Sequence, residues 1–142
     1  MRTTNLEMEK RVKLARQMAD IENLAKLVQD LESGKEKQGT GALHKSDRSD
    51  DRENFYCCLG RGCVVAGIEP RDVGVSAMVY EGETGVLPTS AAQFYGMPFQ
   101  DIPLLDPETG EFAWASAMND RGCSFEEIAR AIRHTYLDNA VQ

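Results

Sequence analysis

The strongest constraint on the fold is the segment from residue 55 to residue 67, FYCCLGRGCVVAG, in which Arg61 is the only charged residue. A helix that is apolar on all sides belongs in the centre of a fold. We therefore predict a buried helix over residues 57–66, with Gly67 ending it. Gly60 and Gly62 each weaken a helix by about 1 kcal/mol relative to alanine. In compensation, we expect a neighbouring backbone to approach this helix closely.

The C-terminal part of the chain contains the clearest helix start. Ser124-Phe125-Glu126-Glu127 matches the capping box, in which the serine hydroxyl and the second glutamate satisfy backbone donors that otherwise lack partners. The apolar residues that follow recur at helical spacing: Phe125, Ile128, Ala129, Ile132 and Tyr136. This pattern predicts an amphipathic C-terminal helix with one buried face.

Residues 5–33 are predicted to form one long helix that ends near Gly34. Its apolar residues alternate between spacings of four and three: Leu14, Met18, Ile21, Ala25 and Val28. The front half is more highly charged. We therefore expect residues 1–18 to be a helical extension that projects from the domain, as an arm for a partner, or packs against a second copy of the chain. A homodimer through this helix is one expectation.

The middle of the chain predicts short elements joined by turns. Residues 34–54 form a polar connector with a short strand over 40–44 and a mobile loop at about 45–53. Glycine-rich or proline-containing turns predict antiparallel hairpins that pair 75–80 with 86–87 and 102–105 with 111–114. Short helices are predicted over 88–95 and 114–118. Together these elements predict a single small α+β domain over residues 19–142.

Charge is unevenly distributed along the 142 residues, whose net charge is −7. The first 48 residues carry +2, residues 49–142 carry −9, and no lysine follows Lys45. An acidic body repels phosphate backbones, so nucleic-acid binding is not expected. No apolar run reaches the roughly 18 residues of a membrane span, and the N-terminal residues lack the apolar core of a secretory signal. We expect a cytoplasmic protein.

Six residues have side chains that bind zinc: Cys57, Cys58, Cys63, Cys123, His44 and His134. Their spacing does not match structural zinc sites, because Cys58 and Cys63 on a regular helix point roughly 140° apart. A thiol nucleophile at Cys57 or Cys58 would need one of the two histidines as its base. We expect buried, reduced thiols instead, with no metal, no cofactor and no catalytic residue.

A pocket for a small molecule or an anion is the most specific site that the sequence supports. Free N–H groups at the start of the central helix, together with Arg61, could bind an anion. Aromatic residues such as Tyr56 and Trp114 could stack on a ligand, and the turn at Asn119 and Asp120 could contribute polar groups. The alternative is that the aromatic residues fill the core, that Arg61 reaches the surface, and that Asn119 and Asp120 bond their own turn.

Several short motifs occur in a distinctive order: Leu31-Glu32-Ser33-Gly34, Gln38-Gly39-x-Gly41-x-Leu43, Tyr56-Cys57-Cys58-Leu59-Gly60-x-x-Cys63, Leu87-Pro88, Tyr95-Gly96, and Asn119-Asp120-x-Gly122-x-Ser124-Phe125-x-Glu127-Ile128-Ala129. Over about residues 27–133 this order resembles a family of small uncharacterised proteins encoded by actinobacterial phages, prophages and their hosts. Two features depart from the family: Arg61 replaces an aliphatic residue, and the N-terminal extension is longer than usual.

The resemblance implies a phage context rather than a mechanism. Small phage proteins often bind a host factor, so we expect an accessory protein that acts by binding, one that sequesters a small host or defence-signalling ligand. The alternative is an inhibitor that binds a host protein through its acidic surface or its N-terminal helix. A thiol enzyme is the least favoured hypothesis.

Overall fold

A computed structural model describes residues 5–46, 53–72 and 78–138. The helices, in chain order, are α1 (Asn5–Met18), α2 (Ile21–Glu32), α3 (Cys58–Val65), α4 (Thr89–Phe94), α5 (Ala115–Asp120) and α6 (Phe125–Ile132). The strands are β1 (Lys37–Gln38), β2 (His44–Ser46), β3 (Asn54–Tyr56), β4 (Arg71–Asp72), β5 (Met78–Val79), β6 (Pro103–Leu105) and β7 (Phe112–Trp114). The protein has the predicted α+β fold.

Helix α3 is the buried helix that the sequence predicts, and every residue from Cys58 to Cys63 is buried. The expected close approach occurs at Gly60. A Cβ atom there would lie 1.8 Å from the carbonyl oxygen of Leu43. That same oxygen accepts a hydrogen bond of 3.1 Å from the backbone N–H of Cys57, the residue that caps α3. Because Gly60 has no Cβ atom, the connector can lie against the first turn of α3 and form this hydrogen bond.

Helices α2, α3 and α6 form the main packing layer, with α2 contacting both of the others. The buried face of α2 consists of large aliphatic residues: Leu24, Leu27, Val28 and Leu31. The capping box of α6 is present as predicted, with Ser124 accepting from the Glu127 N–H and Glu127 accepting from the Ser124 N–H. A π-helical segment, Arg133–Leu137, continues α6 and places Tyr136 in the core.

The single long helix predicted over residues 5–33 is wrong, because the chain breaks between α1 and α2. Asp20 is the N-cap of α2: its side chain accepts from the Asn23 N–H at 3.0 Å. Its own N–H donates to the carbonyl oxygen of Tyr95 at 2.9 Å. Gly96, at φ +70°, lies so close to the break that an added Cβ would be 2.2 Å from the carbonyl oxygen of Met18.

Helix α1 packs along the domain, so the prediction that residues 1–18 project from it is wrong for the described residues. The inner face of α1, Met8, Val12 and Ala15, is buried. Arg16 Nε donates to the carbonyl oxygen of Thr135 at 2.8 Å. The apolar stripe predicted through Leu14, Met18 and Ile21 is the exposed one, since the break at Asp20 ends the continuous helical period. Whether a homodimer forms through α1 stays a prediction.

The connector forms a small three-stranded sheet in the order β1-β3-β2. Strand β3 pairs parallel with β1 and antiparallel with β2, placing His44 opposite Tyr56. The strand predicted over residues 40–44 lies slightly later, at β2. The mobile loop predicted at about 45–53 falls mainly on residues 47–52, which lie outside the described residues.

One of the two predicted hairpins is confirmed. Strands β6 and β7 pair antiparallel around the turn at residues 106–110. The other prediction is wrong in its partner, since β5 pairs with β4 rather than with residues 86–87. Residues 75–77 of that prediction lie outside the described residues. The predicted helix that ends at Gly96 is α4, and the one that ends near Asn119 is α5.

Within the described ranges, no helix combines the length and the apolar composition needed to cross a bilayer. The expected cytoplasmic location stays a prediction.

Substituting Gly60→Ala is expected to lower the free energy of unfolding by about 3 kcal/mol or more, because the new methyl group overlaps the Leu43 carbonyl. Gly85→Ala is the matched control. A Cβ at residue 85 meets nothing within 4 Å, so its effect should stay within about 0.5 kcal/mol. Urea denaturation measures both. Equal midpoints for the two variants would contradict the close approach.

Candidate functional site

The five predicted site residues are distributed over three places in the fold. Tyr56 and Arg61 contact each other beside α2. Asn119 and Asp120 lie at the end of α5 and bond the connector. Trp114 ends β7 and faces α1. The sequence therefore identified residues with real tertiary roles, but the structure does not place all five around one ligand.

Arg61 is held by an acidic partner that the sequence analysis did not identify. Its Nε and Nη2 atoms donate to the two carboxylate oxygens of Asp30 on α2, at 2.8 and 2.7 Å. Its guanidinium also lies 4.6 Å from the ring centroid of Tyr56. A bidentate ion pair plus a cation–π contact ties α3 to α2 and to β3. Arg61 is thereby engaged in packing, and an anionic ligand would have to displace Asp30.

His44 continues this cluster into the core. Its ring stacks on Tyr56 with centroids 4.2 Å apart. Because the Asn54 Oδ1 atom can only accept, His44 Nε2 carries the hydrogen and donates to it at 2.7 Å. Nδ1 then accepts from the Tyr80 hydroxyl at 2.8 Å. Burial lowers the pKa of His44 and raises the pKa of Tyr80.

The Tyr80–His44–Asn54 chain has the connectivity of a nucleophile, its base and an orienting group. Burial distinguishes this chain from a catalytic triad, in which substrate must reach the nucleophile. Tyr80 has no exposed surface and His44 is 3% exposed, so substrate cannot reach the hydroxyl. We interpret the chain as a buried polar network whose donors and acceptors are satisfied within the fold.

Asn119 is a structural clamp. Its Oδ1 atom accepts from the Cys58 N–H at 3.1 Å and from the Gln38 side chain at 2.9 Å. Its Nδ2 atom donates to the carbonyl oxygen of Gly39 at 2.8 Å. Asp120 is exposed and accepts from the Gly41 N–H at 3.1 Å. The predicted Asn-Asp turn thus bonds the connector and the start of α3 rather than only its own backbone.

The cysteines are placed as inert thiols. Cys57, Cys58 and Cys63 are buried, and burial raises the pKa of Cys57 to about 11 and that of Cys63 to about 12. Burial raises the pKa of Cys58 as well. Neutral thiols are poor nucleophiles and poor metal ligands. Among the described residues, no three of the side chains His, Cys, Asp and Glu are grouped so as to hold a metal ion.

Trp114 lines a cleft between α1 and the β7–α5 corner. The cleft has a volume of about 540 Å³ and is open to solvent on one side. Its lining combines apolar, aromatic and charged residues: Asn5, Met8, Glu111, Phe112, Ala113, Trp114, Ala117 and Arg121. This volume falls within the range of small-molecule pockets. Of the five predicted site residues, only Trp114 lines this cleft.

Two arginines surround the aromatic wall of the cleft. The Arg11 guanidinium lies 5.5 Å from the ring centroid of Trp114. Arg121 lines the cleft and lies 3.2 Å from the Asp106 carboxylate through a single contact, with 46% of its side chain exposed. Phe99 packs edge-on against Trp114 from the core side, with centroids 5.5 Å apart. The cleft therefore offers the Trp114 indole and the Arg121 guanidinium in its lining, and Arg11 lies over the same indole without lining the cleft.

The sequence predicts neither that Met8 lines the cleft nor that Arg11 contacts Trp114, because residues 1–18 are expected to lie outside the domain. A signal was present: Met8, Val12 and Ala15 are spaced by four and three, and Arg11 adjoins that stripe. Arg121 directly follows the predicted turn at Asn119 and Asp120.

No known protein family, curated protein sequence or solved structure matches this chain. The resemblance to small phage proteins therefore stays a prediction based on the motifs given above. The positions of Trp114 and of its two neighbouring arginines carry the functional proposal.

Asn119→Ala is expected to lower the free energy of unfolding by about 2–4 kcal/mol, because it leaves the Cys58 N–H and the Gly39 carbonyl without partners. Asp120→Ala removes one exposed bond and should cost less than about 1 kcal/mol. Urea denaturation of both variants provides the comparison. If Asn119→Ala were as stable as Asp120→Ala, the clamp would be refuted.

The neutral, buried His44 predicts that acid weakens the fold. Its folded-state pKa lies below the unfolded value, so the unfolded chain takes up a proton that the folded state refuses. Stability should fall as the pH drops from about 7.5 to about 6, by at most about 1.4 kcal/mol per pH unit. Urea unfolding at several pH values measures the slope. His44→Gln should flatten it, whereas His134→Gln should retain it; a slope unchanged in His44→Gln would contradict the assignment.

Proposed function

We propose that the protein acts by binding, and that the Trp114 cleft holds a small molecule with a planar ring and an anionic group. The observation that carries this proposal is that the Trp114 indole and the Arg121 guanidinium line one cleft of about 540 Å³, with the Arg11 guanidinium 5.5 Å from the centroid of the same indole. The indole supplies a stacking surface for the ring, and the guanidinium groups supply charge-assisted donors for phosphate or carboxylate oxygens. A nucleotide combines both features.

The geometry of the cleft favours a ligand of limited size. Met8 and Phe112 both line the cleft, so a ring can exchange water for apolar surface. Arg121 is only partly engaged by Asp106, so its remaining N–H groups can bind an anion. Glu111 also lines the cleft, and its carboxylate can accept from amino or hydroxyl groups of the ligand.

Binding fits the site better than catalysis does. Among the described residues that line the cleft, there is no thiol, hydroxyl or imidazole side chain, and Glu111 is the one carboxylate that could act as a base. The thiols lie in the core with raised pKa values, and the Tyr80–His44–Asn54 chain is closed to solvent. The buried thiols and the Tyr80–His44–Asn54 chain are therefore separated from the cleft that has room for a ligand.

The phage context predicted from the sequence motifs suggests a biological role for this binding. A small phage protein that sequesters a nucleotide signal lowers its free concentration in the host without any chemical step. In this proposal the protein is a phage-encoded accessory protein, and its ligand is a host metabolite or a defence-signalling nucleotide.

Trp114 is the only tryptophan in the chain, so its fluorescence reports directly on the cleft. Titration with adenosine 5′-monophosphate should change the emission saturably, whereas adenosine or inorganic phosphate alone should bind at least about tenfold more weakly, since each offers half of the interaction. Arg121→Gln should weaken binding of the nucleotide by roughly tenfold or more through the loss of a charge-assisted bond.

Arg130→Gln is the matched control, because Arg130 is exposed and pairs with Glu108 away from the cleft lining. It should bind the nucleotide like the unmodified protein. Guanosine, cytidine and uridine monophosphates complete the probe set. Absence of a saturable change with all four nucleotides, or equal binding by the Arg121 and Arg130 variants, would refute the proposal.

A further inference from the structure

The outer side of α1 concentrates the exposed apolar surface of the protein. Among the described residues, five large hydrophobic side chains are exposed, and four of them lie between residues 6 and 21: Leu6 at 62%, Leu14 at 43%, Met18 at 52% and Ile21 at 38%. The inner face of α1 is packed on the domain, so these side chains do not belong to the core. An exposed apolar cluster of this kind marks an interaction site.

These residues form a continuous surface. Leu6, Lys10, Leu14 and Met18 follow one another at spacings of four, so they form a single ridge along α1. Ile21 follows at the first position of α2 and is also exposed. We define these five residues as the outer ridge. It lies on a different side of α1 from Met8, which lines the Trp114 cleft.

The middle of the outer ridge carries positive charge. Lys10 lies within it, and Lys13, three residues further on, is exposed beside it. Glu7 and Glu9 lie toward its N-terminal end. Asp20 and Glu22 are exposed beside Ile21, at the other end of the outer ridge. The middle of the outer ridge is thus basic and apolar, whereas its two ends are acidic, and residues 49–142 carry a charge of −9.

We propose that the outer ridge is a docking surface for an acidic amphipathic helix of a partner protein. Apolar side chains at helical spacing are the anchors by which one helix packs against another. Lys10 and Lys13 would then pair with carboxylates that flank the apolar stripe of the partner. This surface is separate from the ligand cleft, and the proposal does not depend on the cleft being occupied.

The two lysines and the absence of aromatic residues favour this occupant over two others. The outer ridge has no tryptophan or phenylalanine to anchor it at the interface of an anionic membrane. In a symmetric dimer the lysines of one outer ridge meet a second copy of the same surface rather than an acidic one.

The test uses the full chain and three fluorescein-labelled synthetic helical peptides. The peptides share one leucine face and carry glutamate, glutamine or lysine at the remaining positions. Fluorescence anisotropy should show the glutamate peptide binding at least about tenfold more tightly than the lysine peptide, with added salt reducing the difference.

Charge reversal separates a local contact from the net charge of the protein. The double variant Lys10→Glu, Lys13→Glu should reverse the order of the glutamate and lysine peptides. The matched control is Lys35→Glu, Lys45→Glu, which changes the net charge by the same amount at two exposed lysines outside α1. It should keep the order of the unmodified protein, and a reversal there as strong as in the first variant would contradict a local contact.

Removing the apolar anchors separates docking from general charge attraction. The double variant Leu14→Ser, Met18→Ser should weaken the glutamate peptide by about tenfold or more. Val86→Ser removes the exposed apolar residue outside α1 and α2 and should leave binding unchanged. All of these positions are exposed, so the variants should fold, and Arg121→Gln should not affect peptide binding even if the cleft proposal fails.

Four further outcomes would overturn the docking proposal. Equal affinities for the three peptides would show that the partner need not be acidic. Unchanged binding in the Leu14, Met18 double variant would show that the peptides do not bind at the outer ridge. Ridge-dependent binding to phosphatidylglycerol vesicles without peptide binding would assign the surface to membranes. A concentration-dependent dimer in sedimentation experiments, lost in that double variant, would assign it to a second copy of the chain.

Discussion

The contact between the Leu43 carbonyl and the backbone of Gly60 is the constraint on which the rest of the structure depends. A helix of apolar residues can enter the core only if the neighbouring chain can reach its backbone, and glycine at residue 60 provides that space. With Leu43 held there, the next residue, His44, enters the core and stacks on Tyr56. The polar network, the small sheet and the start of α3 all lie next to this contact, which Gly60 permits because it has no Cβ atom.

Features encoded by local pattern were predictable, and features that depend on distant partners were not. The burial of α3 follows from its composition, and the start of α6 follows from Ser124 and Glu127, three residues apart. The break between α1 and α2 requires the Tyr95 carbonyl and the close approach of Gly96, both far along the chain. Asp20 was the available local signal, since aspartate before an apolar stripe is a frequent N-cap. The pairing of β5 with β4 was likewise a choice between equally plausible neighbours.

The candidate site shows the same division. Aromatic and charged residues can be recognised in a sequence, but their partners come from other elements. Arg61 looked available because Asp30, its partner on α2, could not be assigned to it from sequence spacing. Trp114 was recognised as a stacking residue, whereas Arg11 became its neighbour only once α1 packed against β7. The two sides of helix α1 thus differ: the inner side contributes to the cleft, and the outer ridge is exposed to solvent.

The packing of α2 on α6, and of Arg16 on the Thr135 carbonyl, joins segments that are far apart in the chain. During synthesis on a ribosome the leucines of α2 emerge long before α6, which packs against α2. The hydrophobic layer therefore cannot close until the region around residues 125–137 has left the exit tunnel. Until then the nascent chain exposes apolar surface to which chaperones can bind.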